Sequence, residues 1–595
     1  MESLVPSPSR TLAPTPEPGV LPVTNDAALN RTFEEKRDRD EGQASSTEAF
    51  ATKAKRFLRL HPFRGIIGDL RARAPFYVSD WTDAWNYRVV PATAFTFCTN
   101  VLPGIAFSLD LIETTSKYGV EEVLLASFIP AFVFSLFGAQ PLVIAGVTGP
   151  ITVFNKTIFD ILQSQTDPPD YLQFIGWVYL WGAILHFIAA IFNWCNLLRY
   201  VTRFPCDTFG FFVSWVYLQY GIQILTRELH DNSQASAFLS IILALLMTSL
   251  SFLFLLLSRT KLFNTATRRF LADYGMPISI LATSGVSYWG SFNAANASTL
   301  PVGGAFTAAG GRSWIVRFWE LDGKWIGIAF PFGFILFVLF YFDHNVSSLM
   351  AQGSEFPLRK PPGFHWDFML LGITTFLAGL LGTPAPNGLI PQAPIHTHSL
   401  RVMSTTRPKD EGDSHDERGL EGGEKEKQEM KAERHDEFPI GVVEQRVSNL
   451  AQGSLCLVLL TGPFLHVLNL IPRGVLAGLF WYMGVDALLG SGVSAKIFYL
   501  LREKRLTSAT DPFRRVRRSR IVLFLLLQLV GFGATFAIVQ TIASIGFPIV
   551  IALLIPLRIF IVPLLPFTDE ELAILDGPTA SPFTMESVGG VRSGR

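Results

Sequence analysis

Apolar residues run through this chain in long blocks without a formal charge, at 123–155, 171–198, 233–258, 325–342, 368–395, 447–472 and 521–557. A helix crosses a bilayer with about 20 apolar residues, so several blocks predict two crossings each. The divisions fall at Gly138-Ala-Gln-Pro141, Gly382-Thr-Pro-Ala-Pro386 and Ala543-Ser-Ile-Gly546. Weaker segments at 89–108, 208–226, 270–288 and 473–488 bring the expectation to about fourteen crossings in an all-α integral membrane protein.

Loop charge is consistent with an even number of crossings and both termini in the cytosol, because cytoplasmic loops carry the excess of Lys and Arg. The inward loops then hold Arg199 and Arg203, then Arg259, Lys261, Arg268 and Arg269, then Arg359 and Lys360, and last the run from Lys504 to Arg520. The outward loops are leaner in base, including the long one at 289–325. The sequon at Asn296 lies in that loop and is open to glycosylation, whereas those at Asn155 and Asn345 fall in helices.

Outside the apolar blocks the composition changes. Residues 1–70 are expected to be a disordered cytosolic tail: six prolines lie in the first 22 positions and mixed charge follows. Residues 71–88 predict an amphipathic helix in the headgroup plane, with Tyr77, Trp81 and Trp85 recurring every four residues away from Asp80 and Asp83. The region 89–288 is expected to form one half of the membrane domain and 326–566 the other, the latter interrupted by a charged, disordered cytosolic insertion at 403–440. Residues 567–595 form the cytosolic C-terminal tail.

Over the whole chain 49% of residues are hydrophobic and only 16% charged, against roughly 25% charged in an average soluble protein. Lys plus Arg and Asp plus Glu both number 49, so no net charge attracts nucleic acid. The four cysteines, Cys98, Cys195, Cys206 and Cys456, have no metal or redox spacing and read as core residues. No signal peptide is expected in the Pro-rich start. No nucleophile elbow, P-loop or zinc-binding helix motif occurs, so an enzyme is disfavoured and no cofactor or metal is expected.

Two segments cannot be ordinary spanning helices. The first, 140–151, carries the breakers Pro141, Gly146, Gly149 and Pro150; the second, 382–394, carries Pro384, Pro386, Gly388, Pro391 and Pro394. About four turns follow each before polar sequence, on the order of 22 Å, too short to cross the hydrocarbon. Each predicts an extended strip feeding a half-helix. Paired interruptions in the two halves point to an inverted-repeat transporter, and half-helix N-termini facing each other make an anion site.

Asp343 closes the apolar run 332–343, and an acid at that depth is a functional candidate by default, with a structural hydrogen bond as the plainer reading. Beside an anion site it is placed to couple a proton or counter-ion to the substrate. The histidines weigh less: His396 and His398 lie on different helix faces and make no metal pair, His344 does not share the face of Asp343, and His186 and His466 read as core residues. Lys156 and Asp160 read as an i,i+4 pair.

Three stretches carry a resemblance: 343–348 (Asp-His-Asn-Val-Ser-Ser), 355–365 (Glu-Phe-Pro-Leu-Arg-Lys-Pro-Pro-Gly-Phe-His) and 386–400 (Pro-Asn-Gly-Leu-Ile-Pro-Gln-Ala-Pro-Ile-His-Thr-His-Ser-Leu). With Ala106–Asp110 and Gln140–Pro150, they resemble the anion-exchanger and bicarbonate-transporter family, in its fungal and plant borate-exporter branch, over roughly residues 70–565.

The resemblance implies two inverted seven-helix repeats with two half-helices, a core moving against a gate in an elevator-like motion, and a homodimer joined through the gates. It places Val147 and Thr148 at one half-helix, Leu389, Ile390 and Gln392 at the other, and Asp343 between them around the substrate, with Asn100 on the first helix as a further candidate for the lining. The large folded N-terminal domain of the animal exchangers is not present in this sequence, and Gln392 stands where they carry arginine. An amide donates and accepts whereas a guanidinium only donates, which suits the hydroxyls of borate or boric acid. The expected function is borate export at the plasma membrane, with the vacuolar membrane as the alternative location. A bicarbonate or other small-anion exchanger, or an anion channel of the same fold, is the alternative function. Membrane lipid is the expected surrounding, and clustered Arg at 514–520 permits contact with anionic headgroups.

Overall fold

A backbone removed from water must satisfy its own N–H and C=O groups, so the uncharged blocks become helices. The computed structural model describes residues 62–231, 233–404, 438–503, 505, 507–508 and 511–589. In chain order the longer helices of the first half are α1 (Arg64–Arg73), α2 (Val89–Thr115), α3 (Val120–Phe137), α4 (Gly149–Gln163), α5 (Tyr171–Ile191), α6 (Arg203–Asp231), α7 (Gln234–Arg259) and α8 (Thr265–Val286). The second half holds α9 (Gly323–Ala351), α10 (Phe364–Leu381), α11 (Gln392–Ser399), α12 (Val447–Leu459), α13 (Gly462–Asn469), α14 (Arg473–Gly490), α15 (Gly492–Leu501), α16 (Arg518–Val539) and α17 (Phe547–Phe560).

Among the described residues eight helices are long and apolar enough to cross a bilayer, and up to ten if each bent pair counts as one span. The bent pairs are α12 with α13, at 92°, and α14 with α15, at 67°. Helices in lipid gain little from hiding apolar surface from one another, so close packing relies on small residues. A Cβ on Gly474 of α14 would lie 2.4 Å from the Ser240 carbonyl of α7, and one on Gly478 would lie 2.5 Å from the Ala244 carbonyl. On α10, a Cβ on Gly379 would meet the Gly176 carbonyl of α5 at 3.2 Å.

Among the described residues, strand is confined to two small ribbons. β1 (Ala145–Gly146) pairs antiparallel with β2 (Asn387–Gly388), Ala145 opposite Gly388 and Gly146 opposite Asn387. β3 (Arg401–Ser404) pairs antiparallel with β4 (Phe438–Val442).

Several local expectations change. The stretch 62–70 is not tail: α1 begins at Arg64 and buries Asp69, which accepts from the His365 and Trp366 amides at the start of α10 over 2.7 and 3.1 Å. The amphipathic helix at 71–88 is broken: a 3-10 turn at Ala74–Phe76 precedes a helix that ends at Thr82, leaving Trp85 beyond it and exposed. Asp80, assigned to a polar face, is buried with Arg73, Lys360 and Arg446 at 2.7 to 2.9 Å. The insertion is narrower than 403–440, because its ends are tied in the β3–β4 ribbon; residues 405–437 and 1–61 lie outside the described residues.

Lys156 turns from Asp160 and reaches Asp110 of α2 at 2.6 Å, and Arg227 of α6 meets the same carboxylate at 2.8 Å. His186 is buried but His466 is exposed, since α13 turns that face outward. Asn296 is exposed in its loop, while Asn155 and Asn345 are buried. Cys195, Cys206 and Cys456 are buried, Cys98 is partly so, and all four are free thiols. Residues 569–589 pack back on the domain, with Asp576 accepting from the Phe204 amide over 2.8 Å.

Candidate substrate site

The two proline-rich strips pass each other deep inside the protein. Their prolines and glycines cannot continue a helix, and their backbone groups find partners in the helices around them. Asp367 of α10 accepts from the Ala139 and Gln140 amides at 2.6 and 2.9 Å. His396 of α11 contacts the Leu142 carbonyl at 3.0 Å through Nδ1 and Ser448 at 2.7 Å through Nε2, so neither ring nitrogen is free for a metal. On the second strip the Ala385 amide donates to Tyr179 of α5 over 3.1 Å, and the Leu389 amide donates across to the Ile144 carbonyl at 2.9 Å.

Each strip then feeds a helix. Thr148 caps α4, its hydroxyl accepting from the Ile151 amide at 3.5 Å, with Pro150 in the first turn where no N–H is needed. The second half-helix, α11, starts after Pro391 and is only 8 residues long. That is shorter than the four turns expected, because the chain leaves helical geometry at Leu400 to form β3.

Between the two helix starts lies a cavity of ≈ 20 Å³, room for about one water molecule. Thr148, Gly149 and Pro150 face it from the first strip; Gly388, Leu389, Ile390, Pro391 and Gln392 face it from the second; Asp343 of α9 completes that side. Of the other residues expected here, Val147 is buried next to the lining, Asn100 lies behind β1, and Gly146, Pro141 and Pro386 belong to the strips without facing the cavity. The opposite wall was not legible: Phe107 of α2 and Phe209, Val213, Val216 and Tyr217 of α6. Nothing in the sequence distinguishes Tyr217 from its neighbour Tyr220.

Asp343 and Gln392 are buried, and each keeps one side-chain oxygen without a partner among the described residues. Asp343 Oδ2 accepts from Asn387 Nδ2 at 3.2 Å, so the plain structural bond exists, but Oδ1 has no partner among the described residues. Gln392 Nε2 donates to the Thr99 carbonyl at 3.0 Å and to the Tyr217 hydroxyl at 2.7 Å. Its Oε1 is unpartnered. Both amide hydrogens are thus spent on protein, and the two-way amide expected from the sequence offers only its acceptor. Lys156 and Arg227 are held by Asp110 towards the end of α2, and the two helix starts turn their positive dipole ends to the cavity.

The sequence has counterparts among known proteins. A family model described as the bicarbonate (HCO3⁻) transporter integral membrane domain matches residues 61–235, 218–417 and 424–580. The chain is 44% identical to a Schizosaccharomyces pombe protein whose name assigns it only to transporters, over 86% of this chain and 95% of that one. It is 39% identical to boron transporter 1 of Saccharomyces cerevisiae, over 94% of this chain and 93% of that one. It is 26% identical to the Homo sapiens band 3 anion transport protein, over 87% of this chain and 56% of that one.

Proposed function

Because this chain belongs to the bicarbonate-transporter family, we propose that it is a membrane transporter that exports borate or boric acid. One observation carries the reading: two buried acceptors, Asp343 Oδ1 and Gln392 Oε1, stand unpartnered at a cavity between two half-helix starts. Boric acid brings three hydroxyls to such a pair, and tetrahydroxyborate four, while the helix dipoles favour negative charge. The yeast relative named a boron transporter supports the same substrate.

In this reading Asp343, Thr148, Leu389, Ile390 and Gln392 bind the substrate directly, and Val147 and Asn100 support them. The breakers Pro141, Gly146, Gly149, Pro150, Pro386, Gly388 and Pro391 keep the strips extended. The two halves form inverted seven-helix repeats, fourteen crossings in all. A core carrying the strips slides against a gate containing α6, opening a cavity that is now too small for the substrate. The protein works as a homodimer in the plasma membrane with both termini cytosolic, and Asp343 exchanges a proton during the cycle. The alternative is a bicarbonate exchanger, favoured by the family description alone.

The test is flux of boric acid and of bicarbonate into proteoliposomes of the pure protein, with and without a pH gradient. Asp343→Asn and Gln392→Arg are measured beside the native chain. Boric acid flux that falls at least tenfold in Asp343→Asn supports substrate and site together. Bicarbonate flux without boric acid flux replaces the proposal with its alternative.

A further inference from the structure

The orientation of the Gln392 amide follows from its partners. A peptide carbonyl can only accept, so the Gln392 atom 3.0 Å from the Thr99 carbonyl must be the NH₂ group. The second hydrogen of that NH₂ goes to the Tyr217 hydroxyl at 2.7 Å. With both hydrogens committed, the oxygen is left at the cavity, buried and unpartnered.

Tyr217 is itself held in place. Its ring meets Phe107 edge-on with centroids 5.0 Å apart and Phe480 at 5.4 Å, on α2 and α14. Its hydroxyl oxygen accepts from Gln392, so its own hydrogen remains for another acceptor, and Tyr217 lines the cavity. The array open to a ligand is therefore two acceptors, Asp343 Oδ1 and Gln392 Oε1, with the Tyr217 and Thr148 hydroxyls at the edge.

We propose that Tyr217 is a positioning residue that sets specificity: with the Thr99 carbonyl holding one Gln392 amide hydrogen, Tyr217 takes the second and leaves Gln392 only its oxygen to offer, so the site selects ligands rich in O–H donors over oxyanions rich in acceptors. This rests on the transport function proposed above. Boric acid satisfies both free acceptors with hydroxyl hydrogens. Bicarbonate has a single O–H, so it leaves one of them facing an oxygen lone pair, and a site with an unpaired buried acceptor discriminates strongly.

Removing the Tyr217 hydroxyl frees one amide hydrogen, which can then be offered to the cavity. In proteoliposomes of the full chain, Tyr217→Phe is expected to raise the KM for boric acid about tenfold and to tighten competition by bicarbonate, with kcat within about twofold. The ratio of the two affinities is read on one sample, so it is independent of how much protein is active. A merely structural tyrosine would lower flux without moving that ratio.

Because Tyr217 acts through Gln392, the same substitution in a Gln392→Met background is expected to shift the ratio by less than about twofold. An unchanged ratio in Tyr217→Phe alone overturns the proposal, and so does an equal shift in both backgrounds. Both results leave boric acid transport standing. Native protein that moves no boric acid defeats the transport reading and this inference with it.

Discussion

The Asn100 side chain occupies the space that a Cβ on Gly146 would need, with Oδ1 2.5 Å from the ideal position. Asn100 is held there by its own bond to Gln452, at 3.1 Å, so the glycine lets the first strip run against α2 at the point where it pairs with the second. Across the ribbon Gly388 is tighter in a different way: a Cβ there would lie 2.9 Å from the His344 Cα, a backbone atom that cannot swing aside.

The difference orders two substitutions. Gly146→Ala presses on the end of a side chain and is expected to lower stability by about 1 kcal/mol, while Gly388→Ala presses on α9 itself and is expected to cost about 3 kcal/mol. Adding Asn100→Ala should restore part of the loss in the first and none in the second. Thermal unfolding of the four proteins in detergent decides; equal losses for the two alanines would contradict the geometry.

Tyr179 joins the second strip to α4 through its hydroxyl, which accepts from the Ala385 amide and also bonds Asn155 of α4 at 2.7 Å. Tyr179→Phe leaves a buried amide and a buried side chain short of a partner, so a loss of about 1–3 kcal/mol is expected. Flux should fall with it, because this oxygen ties the second strip to the helix that follows the first. A variant as stable and as active as the native chain would show that the strips are held elsewhere.

Asp69 makes the anchoring of α1 dependent on pH. Burial pushes its carboxyl up to about 7, against the opposing pull of the Trp366 and His365 amides. The folded state therefore keeps a proton that the unfolded chain releases near 3.8. Its contribution to stability is full below that value, declines as pH rises and is gone above about 7. The slope is roughly 1.4 kcal/mol per pH unit within the window. Asp69→Asn should flatten it, read as melting temperature against pH from 4 to 8; an unaltered slope would remove Asp69 as the cause.

The inserted segment begins and ends in paired strands, Ser404 opposite Phe438 and Arg401 opposite Val442. A two-residue Asn-Gly turn joining Ser404 to Phe438 can therefore replace residues 405–437. Boric acid flux and unfolding stability are expected to match those of the native chain within about twofold and about 1 kcal/mol respectively. Loss of folding would mean that the segment does more than join two strands.

The sequence by itself determined the class of molecule and pointed to the two broken strips between which the cavity lies. Uncharged runs of bilayer length, breakers repeated in both halves and a lone acid at depth follow from local chemistry, because lipid allows so few arrangements of backbone and charge. The apolar run singled out Asp343 and the family resemblance singled out Thr148 and Gln392, and all three line the cavity. Neither singled out Tyr217, whose role exists only because α6 lies across from the strips. The same holds for Lys156, which chose Asp110 over the acid four residues away, and for Asp80, whose three cations come from three separate parts of the chain. Only the tertiary structure decided which way the Gln392 amide points, because its orientation is fixed by a carbonyl 293 residues distant. Periodicity and composition report what a residue's neighbours in sequence are; partners brought together by folding leave no mark there.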